Sequence, residues 1–326
     1  MHKVSRRYKK DEVMALLDPL IAKWFSGKFK DFTEPQSYAV PLIHERQSVL
    51  VSSPTGSGKT LTAFTSIINE LFKYSKEGRL EDRVYAVYIS PLKALANDIN
   101  RNLEEPLREM REVADREGEA FPEIRVGVRT GDTSQAERQR MLRKPPHILI
   151  TTPESLALVL AAPKFREKLS QVEYVILDEI HEVCDSKRGV LLSLTLERLQ
   201  EMCSRQFVRV GLSATLAPIQ DVAEYLVGYE GGKARDVNVV EIMRQRDLDI
   251  RVECPTEDMT VLPYEIVNSK MYDQLFEMIQ EHRTTIVFTN TRSGTEHVVY
   301  KLKERGLEGI EAHHGSLAKD IRLDVE

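Results

Sequence analysis

The chain has 326 residues, 41% hydrophobic and 30% charged, with a net charge of −5 at neutral pH. That length suggests about two domains, no apolar run reaches the roughly 18 residues of a membrane span, and no apolar leader follows Met1. The acidic balance excludes attraction to nucleic acid over the whole surface, so any such binding must come from local groups.

In chain order, residues 3–10 form a basic start, which suits a polyanion or, more commonly, a solvated terminus. Residues 11–23 carry Val13, Leu16, Leu17, Leu20 and Ile21 at helical spacing. A second helix is expected from Pro35 towards His44. Val49, Leu50 and Val51 then read as a buried strand, followed by Ser52-Ser53-Pro54-Thr55-Gly56-Ser57-Gly58-Lys59-Thr60 and a helical pattern over 61–71.

That stretch is a phosphate-binding loop. Gly56 and Gly58 let the backbone turn tightly, so that N–H groups of Thr55, Gly56, Ser57 and Gly58 face phosphate oxygens. The helix that follows offers its positive end to the same anion. Lys59 is placed for the β- and γ-phosphates of ATP, and the Thr60 hydroxyl for Mg²⁺. The general pattern begins with glycine, and Ser53 stands there; a small residue suffices.

Beyond the loop, strands are expected at 84–90, 125–130, 147–152, 174–178 and 207–212, several apolar throughout, as strands buried on both faces of a parallel sheet are. Helical stretches at 93–113, 136–143, 191–202 and 218–226 alternate with them, which predicts a doubly wound α/β domain with ligand residues at the strands' carboxyl ends. Gly231-Gly232-Lys233 and the charged run 244–251 mark an exit. A helix at 272–283, a strand at 285–289, a helix at 294–305 and a strand at 309–313 begin a second α/β unit, cut at Glu326. The expected division is 1–243 and 244–326. Cys184, Cys203 and Cys254 are too widely spaced for a metal site and suit a reducing, cytoplasmic compartment.

Two further groups carry chemistry. Asp178-Glu179-Ile180-His181 follows the apolar run 174–177, a Walker B arrangement in which Asp178 binds the Mg²⁺ held by Thr60 and Glu179 orients and deprotonates the attacking water. Ser213-Ala214-Thr215 follows the strand at 207–212; its hydroxyls can bridge side chains, but read alone they favour capping the next helix. His181 alone reads more readily as a structural histidine than a catalytic one.

Together, Ser53 to Thr60, Asp178 to His181 and Ser213 to Thr215 resemble superfamily 2 helicases of the DExH type. Pro91-Leu92-Lys93-Ala94-Leu95-Ala96-Asn97-Asp98, Thr151-Thr152-Pro153-Glu154-Ser155-Leu156, Ser186-Lys187-Arg188-Gly189 and His313-His314-Gly315-Ser316-Leu317 look like the large helicase-related (Lhr) family. The resemblance implies a RecA-like doubly wound parallel sheet with helices on both faces, followed by an incomplete second RecA-like domain. It implies that Gln36 reads adenine, with Phe29 or Phe32 stacking on the base. Pro91, Lys93, Arg129, Gly131, Thr152, Pro153 and Ser155 line a nucleic-acid path, joined by Thr291, Arg292, His314 and Ser316 of the second domain. His181, Ser213 and Thr215 couple nucleotide state to nucleic-acid grip. Read without the resemblance, Thr-Pro-Glu-Ser is a helix start.

The implied activity is an ATP-dependent helicase moving 3′ to 5′ on single-stranded DNA, with RNA–DNA hybrids as a further partner. The alternatives are an RNA helicase of the Ski2-like or DEAD-box groups and a nucleotide-gated binding module. The family's arginine-finger motif falls beyond Glu326, which implies part of a longer protein that hydrolyses ATP slowly on its own.

Overall fold

The computed structural model describes residues 1–91, 93–214, 218–242, 249–258, 261–317 and 325; of 93–98 and 100–102 it describes the backbone alone. The chain divides into two compact units, Met1–Gln245 and Arg246–Glu326.

The first unit runs β1 (His2–Lys3), α1 (Lys10–Met14), α2 (Pro19–Lys28), α3 (Glu34–His44), β2 (Val49–Ser52), α4 (Lys59–Lys76), β3 (Ala86–Ile89), α5 (Lys93–Glu117), β4 (Val126–Arg129) and α6 (Gln135–Arg143). It continues with β5 (Ile148–Thr151), α7 (Pro153–Ala161), α8 (Pro163–Arg166), β6 (Tyr174–Leu177), α9 (Lys187–Met202), β7 (Val208–Ser213), α10 (Ile219–Val227), β8 (Tyr229–Glu230), β9 (Lys233–Ala234) and β10 (Asn238–Glu241). Eight strands form one parallel sheet in the order β1-β10-β2-β7-β6-β3-β5-β4, and β8 and β9 form a separate hairpin.

The side-chain period of 2 sorts the core. Val49, Val51, Ala86, Tyr88, Tyr174 and Ile176 pack on the face covered by α2, α3, α4 and α5. Leu50, Val87, Ile89, Val175 and Leu177 pack on the other, under α7, α9 and α10. Burial on both faces is why these strands read as unbroken apolar runs, each Val, Leu or Ile side chain contributing about 1.5–3 kcal/mol.

Three expectations change here. The helical stripe over 11–23 is two helices, because Pro19 disfavours helical backbone at Asp18, whose ψ is 143°. Asp18 caps α2 instead, accepting from the Leu20 N–H at 3.0 Å. The basic start is partly ordered: β1 pairs with β10, and Lys3 Nζ lies 2.8 Å from Glu241. The stretch after the glycines, read as an exit, adds strand β10 beside β2 before the unit ends.

His147, 2% exposed at the start of β5, has a ring held neutral: its Nδ1 accepts the Arg125 backbone N–H at 3.2 Å. Burial, then the Arg125 charge, push its pKa down to about 4. The unfolded chain protonates near pH 6.5, so below that pH it binds a proton that the folded state refuses. Stability will therefore be full above about pH 6.5 and fall towards about pH 4, by up to ~3 kcal/mol. Urea midpoints measured across this window will flatten in His147→Gln; an unchanged slope would exclude His147 as the cause.

In the second unit, α11 (Tyr264–Gln280) and α12 (Arg292–Glu304) pack through Arg305, which donates to Asp273 at 2.7 Å and to the Ser269 carbonyl at 3.0 Å. The strands expected at 285–289 and 309–313 are not formed among the described residues. A strand exists only through its neighbours' hydrogen bonds, and no described segment pairs with either.

Candidate active site

The central strands end level along one edge. Ser52 lies opposite Ser213, Leu177 opposite Ile89, Ile89 opposite Thr151, and Thr151 opposite Arg129. A parallel sheet delivers every following loop to the same side, which brings together residues far apart in sequence.

The loop after β2 turns through Gly56 (φ 76°) and Gly58 (φ 84°), and Gly58 is the N-cap of α4. A Cβ on Gly58 would lie 3.1 Å from both Gln36 Nε2 and Thr33 Oγ1, so conformation and space both select glycine. Ser53 Oγ meets Ser57 Oγ at 2.8 Å, bridging the ends of the loop. Lys59 Nζ donates to the carbonyls of Ser53 (2.6 Å) and Pro54 (3.2 Å). Burial lowers the Lys59 pKa, opposed by the nearby charges of Glu179 and Asp178. An ammonium resting on two neutral carbonyls in a glycine cradle fits an incoming phosphate. A cavity of about 420 Å³ adjoins it, lined by Thr55, Gly56, Lys59, Thr60, Phe64 and Glu179 among others.

Asp178, at the end of β6, is buried, and its Oδ2 accepts from the Tyr88 hydroxyl at 2.5 Å. Burial raises the Asp178 pKa; the Tyr88 bond opposes that, and the neighbouring Glu179 adds to it. The ring of the same Tyr88 stacks on Phe64 at 5.0 Å. In the sequence Tyr88 reads only as a core aromatic.

Glu179 has φ 44° and ψ 47°, left-handed backbone that costs a non-glycine residue of order 1–3 kcal/mol. The conformation turns its side chain towards the loop, where Oε2 is buried without a hydrogen bond, 3.4 Å from His181 Nδ1. That nitrogen also meets Ser213 Oγ at 3.1 Å. Of the two readings of Ser213, the bridge is the one formed. Thr215 lies outside the described residues.

Gln36 is 4% exposed, with both ends of its amide engaged: Oε1 accepts from the Thr33 N–H (2.9 Å) and Nε2 reaches the Gly58 carbonyl (3.4 Å). Phe32 is buried and stacks on Phe25 at 4.0 Å, which leaves Phe29, half-buried against Trp24, as the more open ring.

Farther along the edge, Thr152 caps α7 and donates to Ser155 Oγ at 3.0 Å, with Pro153 as the first helical residue. The hydroxyls of Thr152 and Ser155 thus serve the helix start, and both residues are buried. Arg188 ties two of the expected path segments, donating to the Pro91 carbonyl (2.7 Å) and to Glu154 (2.6 Å). The next residue must be glycine, since a Cβ on Gly189 would sit 2.1 Å from the Val183 carbonyl oxygen. Gly131 is exposed after β4, beyond Arg129. The side chain of Lys93 lies outside the described residues.

Within the second unit, Thr291 caps α12, and Arg292 donates to Ser316 Oγ at 2.6 Å. The Ser316 N–H reaches His314 Nδ1 at 3.3 Å, so these residues form one group. A larger cavity in the first unit, about 740 Å³, opens at the amino ends of the strands around Ser48, Arg209 and Asn238. It has neither a phosphate loop nor paired carboxylates.

The family model for DEAD/DEAH box helicases matches residues 33–222, a span that holds Gln36, the phosphate loop, Asp178, Glu179, His181 and Ser213. The chain belongs to the DEAD/DEAH box helicase family. Within it, the ATP-dependent helicase Lhr-Core of Methanothermobacter thermautotrophicus is 55% identical over 99% of this chain and 38% of its own length. The Lhr helicase/uracil glycosylase of Escherichia coli is 38% identical over 89% of this chain and 20% of its own. The structure of Mycobacterium smegmatis helicase Lhr bound to ssDNA and AMP-PNP superposes with a TM-score of 0.84 at 37% identity, covering 96% of this chain and 40% of that one. The chain thus spans about two-fifths of the length of the Lhr-Core relative and of the Lhr structure, and its sheet is RecA-like.

Proposed function

We propose that this chain is the ATP-binding motor part of an ATP-dependent nucleic-acid helicase, acting 3′ to 5′ on single-stranded DNA. The observation that carries the reading is the convergence of Lys59, Asp178 and Glu179 at one sheet edge, linked by His181 to Ser213. The likeness to a helicase solved with ssDNA and AMP-PNP supports the substrate class.

The cradle and the Lys59 ammonium hold the β- and γ-phosphates of ATP. Among the described residues no cluster of three or more His, Cys, Asp or Glu could hold a metal. The Thr60 hydroxyl and the Asp178 carboxylate would hold Mg²⁺ beside the phosphates, and the ion would supply charge neutralisation there. Glu179 orients a water and takes its proton as the water oxygen attacks the γ-phosphorus; the bond to the bridging oxygen breaks and ADP leaves. His181 touches both Glu179 and Ser213, so a change at the γ-phosphate reaches the end of β7 through two contacts. Gln36 would read the adenine by giving up its present amide partners, the Thr33 N–H and the Gly58 carbonyl.

The test is ATP hydrolysis by this chain with and without single-stranded DNA, RNA or an RNA–DNA hybrid. The expected result is hydrolysis stimulated most by single-stranded DNA. Stimulation by RNA alone would replace the substrate assignment, and no hydrolysis with any of them would leave a nucleotide-gated binding module.

A further inference from the structure

The half-buried arginines of the first unit mostly have a carboxylate partner. Arg46 and Arg83 share Glu173, Arg209 and Arg235 share Glu197, and Arg125 has Asp82. Two depart from this. Arg129, at the end of β4, lies over the Phe165 ring at 4.4 Å, and its pKa is lowered by burial and then by the charge of Arg138. Arg138, in the first turn of α6, donates Nη2 to the Gly131 carbonyl at 3.3 Å. Arg129 Nη1 and Arg138 Nε are buried without a hydrogen-bond partner, and no ion pair reaches either residue among the described residues.

The Arg138 charge disfavours the charge on Arg129, and each guanidinium has a donor buried without a hydrogen-bond partner. An anion with several acceptor oxygens would satisfy both donors and both charges. The neighbours indicate which one: the Thr151 hydroxyl donates to the Arg129 carbonyl at 2.7 Å, and Thr151 leads directly into the start of α7. The arginine pair therefore stands beside the strand-end loops of the expected nucleic-acid path.

We propose that Arg129 and Arg138 together clamp one phosphodiester group of a bound single strand, with Arg138 an additional contact outside every motif named above. The proposal rests on the helicase reading. The clamp reads backbone charge and carries no base preference.

The test is fluorescence anisotropy of a labelled oligothymidylate with this chain across a salt series. Arg138→Ala should weaken binding by about 10-fold or more, the usual effect of losing a charged hydrogen-bonding partner. The slope of log affinity against log salt should fall by about 0.7, one phosphate contact on a single strand. Arg138→Lys should keep the slope but regain only part of the affinity, because the planar fork is lost. Adding Arg129→Ala to Arg138→Ala should cost less than the two single losses combined. ATP affinity should not change. If the wild type binds and Arg138→Ala keeps the wild-type salt slope, the clamp is wrong even where affinity drops, since a purely structural Arg138 would act that way. If the wild type does not bind the oligonucleotide at all, both the clamp and the helicase reading fail.

Discussion

Lys59→Ala will weaken Mg-ATP binding by about 10- to 100-fold, the loss of charge-assisted contacts worth ~1.5–3 kcal/mol. Glu179→Gln will bind nearly as well as wild type but hydrolyse on the order of 10²–10⁴-fold more slowly, the usual contribution of a general base. The contrast follows from geometry. Lys59 Nζ sits inside the loop on the Ser53 and Pro54 carbonyls, where only the phosphates can replace those partners. Glu179 reaches the same space from β6, with Oε2 free of hydrogen bonds and therefore available to a water. Glutamine preserves the size of that side chain and removes only its basicity. Titration with a non-hydrolysable analogue, beside single-turnover hydrolysis, separates the two effects. Equal losses of affinity in both variants would overturn this division of roles.

Much of this site is readable from sequence because backbone chemistry constrains the residue types. A left-handed turn that cradles phosphate admits little but glycine, and a strand buried on both faces leaves an apolar run ending where the carboxylates begin. Tyr88 and Arg138 are of another kind. The Tyr88 bond to Asp178 depends on sheet register, with Tyr88 opposite Ile176 in the neighbouring strand. The Arg129–Arg138 pair is recognised only by the lack of a carboxylate beside two half-buried charges, which no linear pattern records. The fold was readable to a similar depth. Strand β10 is hidden in the sequence because the glycines and charges around it outweigh the short apolar run Val239-Val240. The break at Pro19 was missed because apolar spacing continues across it, although the proline itself signals the stop.

Amides in 285–289 will exchange with solvent at least about four orders of magnitude faster than those of β2 and β6. Sequence likens these segments: Ile286-Val287-Phe288 is as apolar as Val49-Leu50-Val51. Their surroundings differ. Each residue of β2 is buried and hydrogen-bonded between β10 and β7. Ile286 is 73% and Phe288 89% exposed, and no backbone hydrogen bond joins 285–289 to another described segment. Exchange from the central strands requires opening that approaches global unfolding, about 5–15 kcal/mol, whereas an unpaired extended segment exchanges almost without opening. Slow exchange at 285–289 would mean that these residues are paired in solution. Dilution then identifies the partner: protection that falls with concentration points to a second copy bonding along the open strand edge. Protection that persists places the pairing within one chain and restores the strand expected from its sequence.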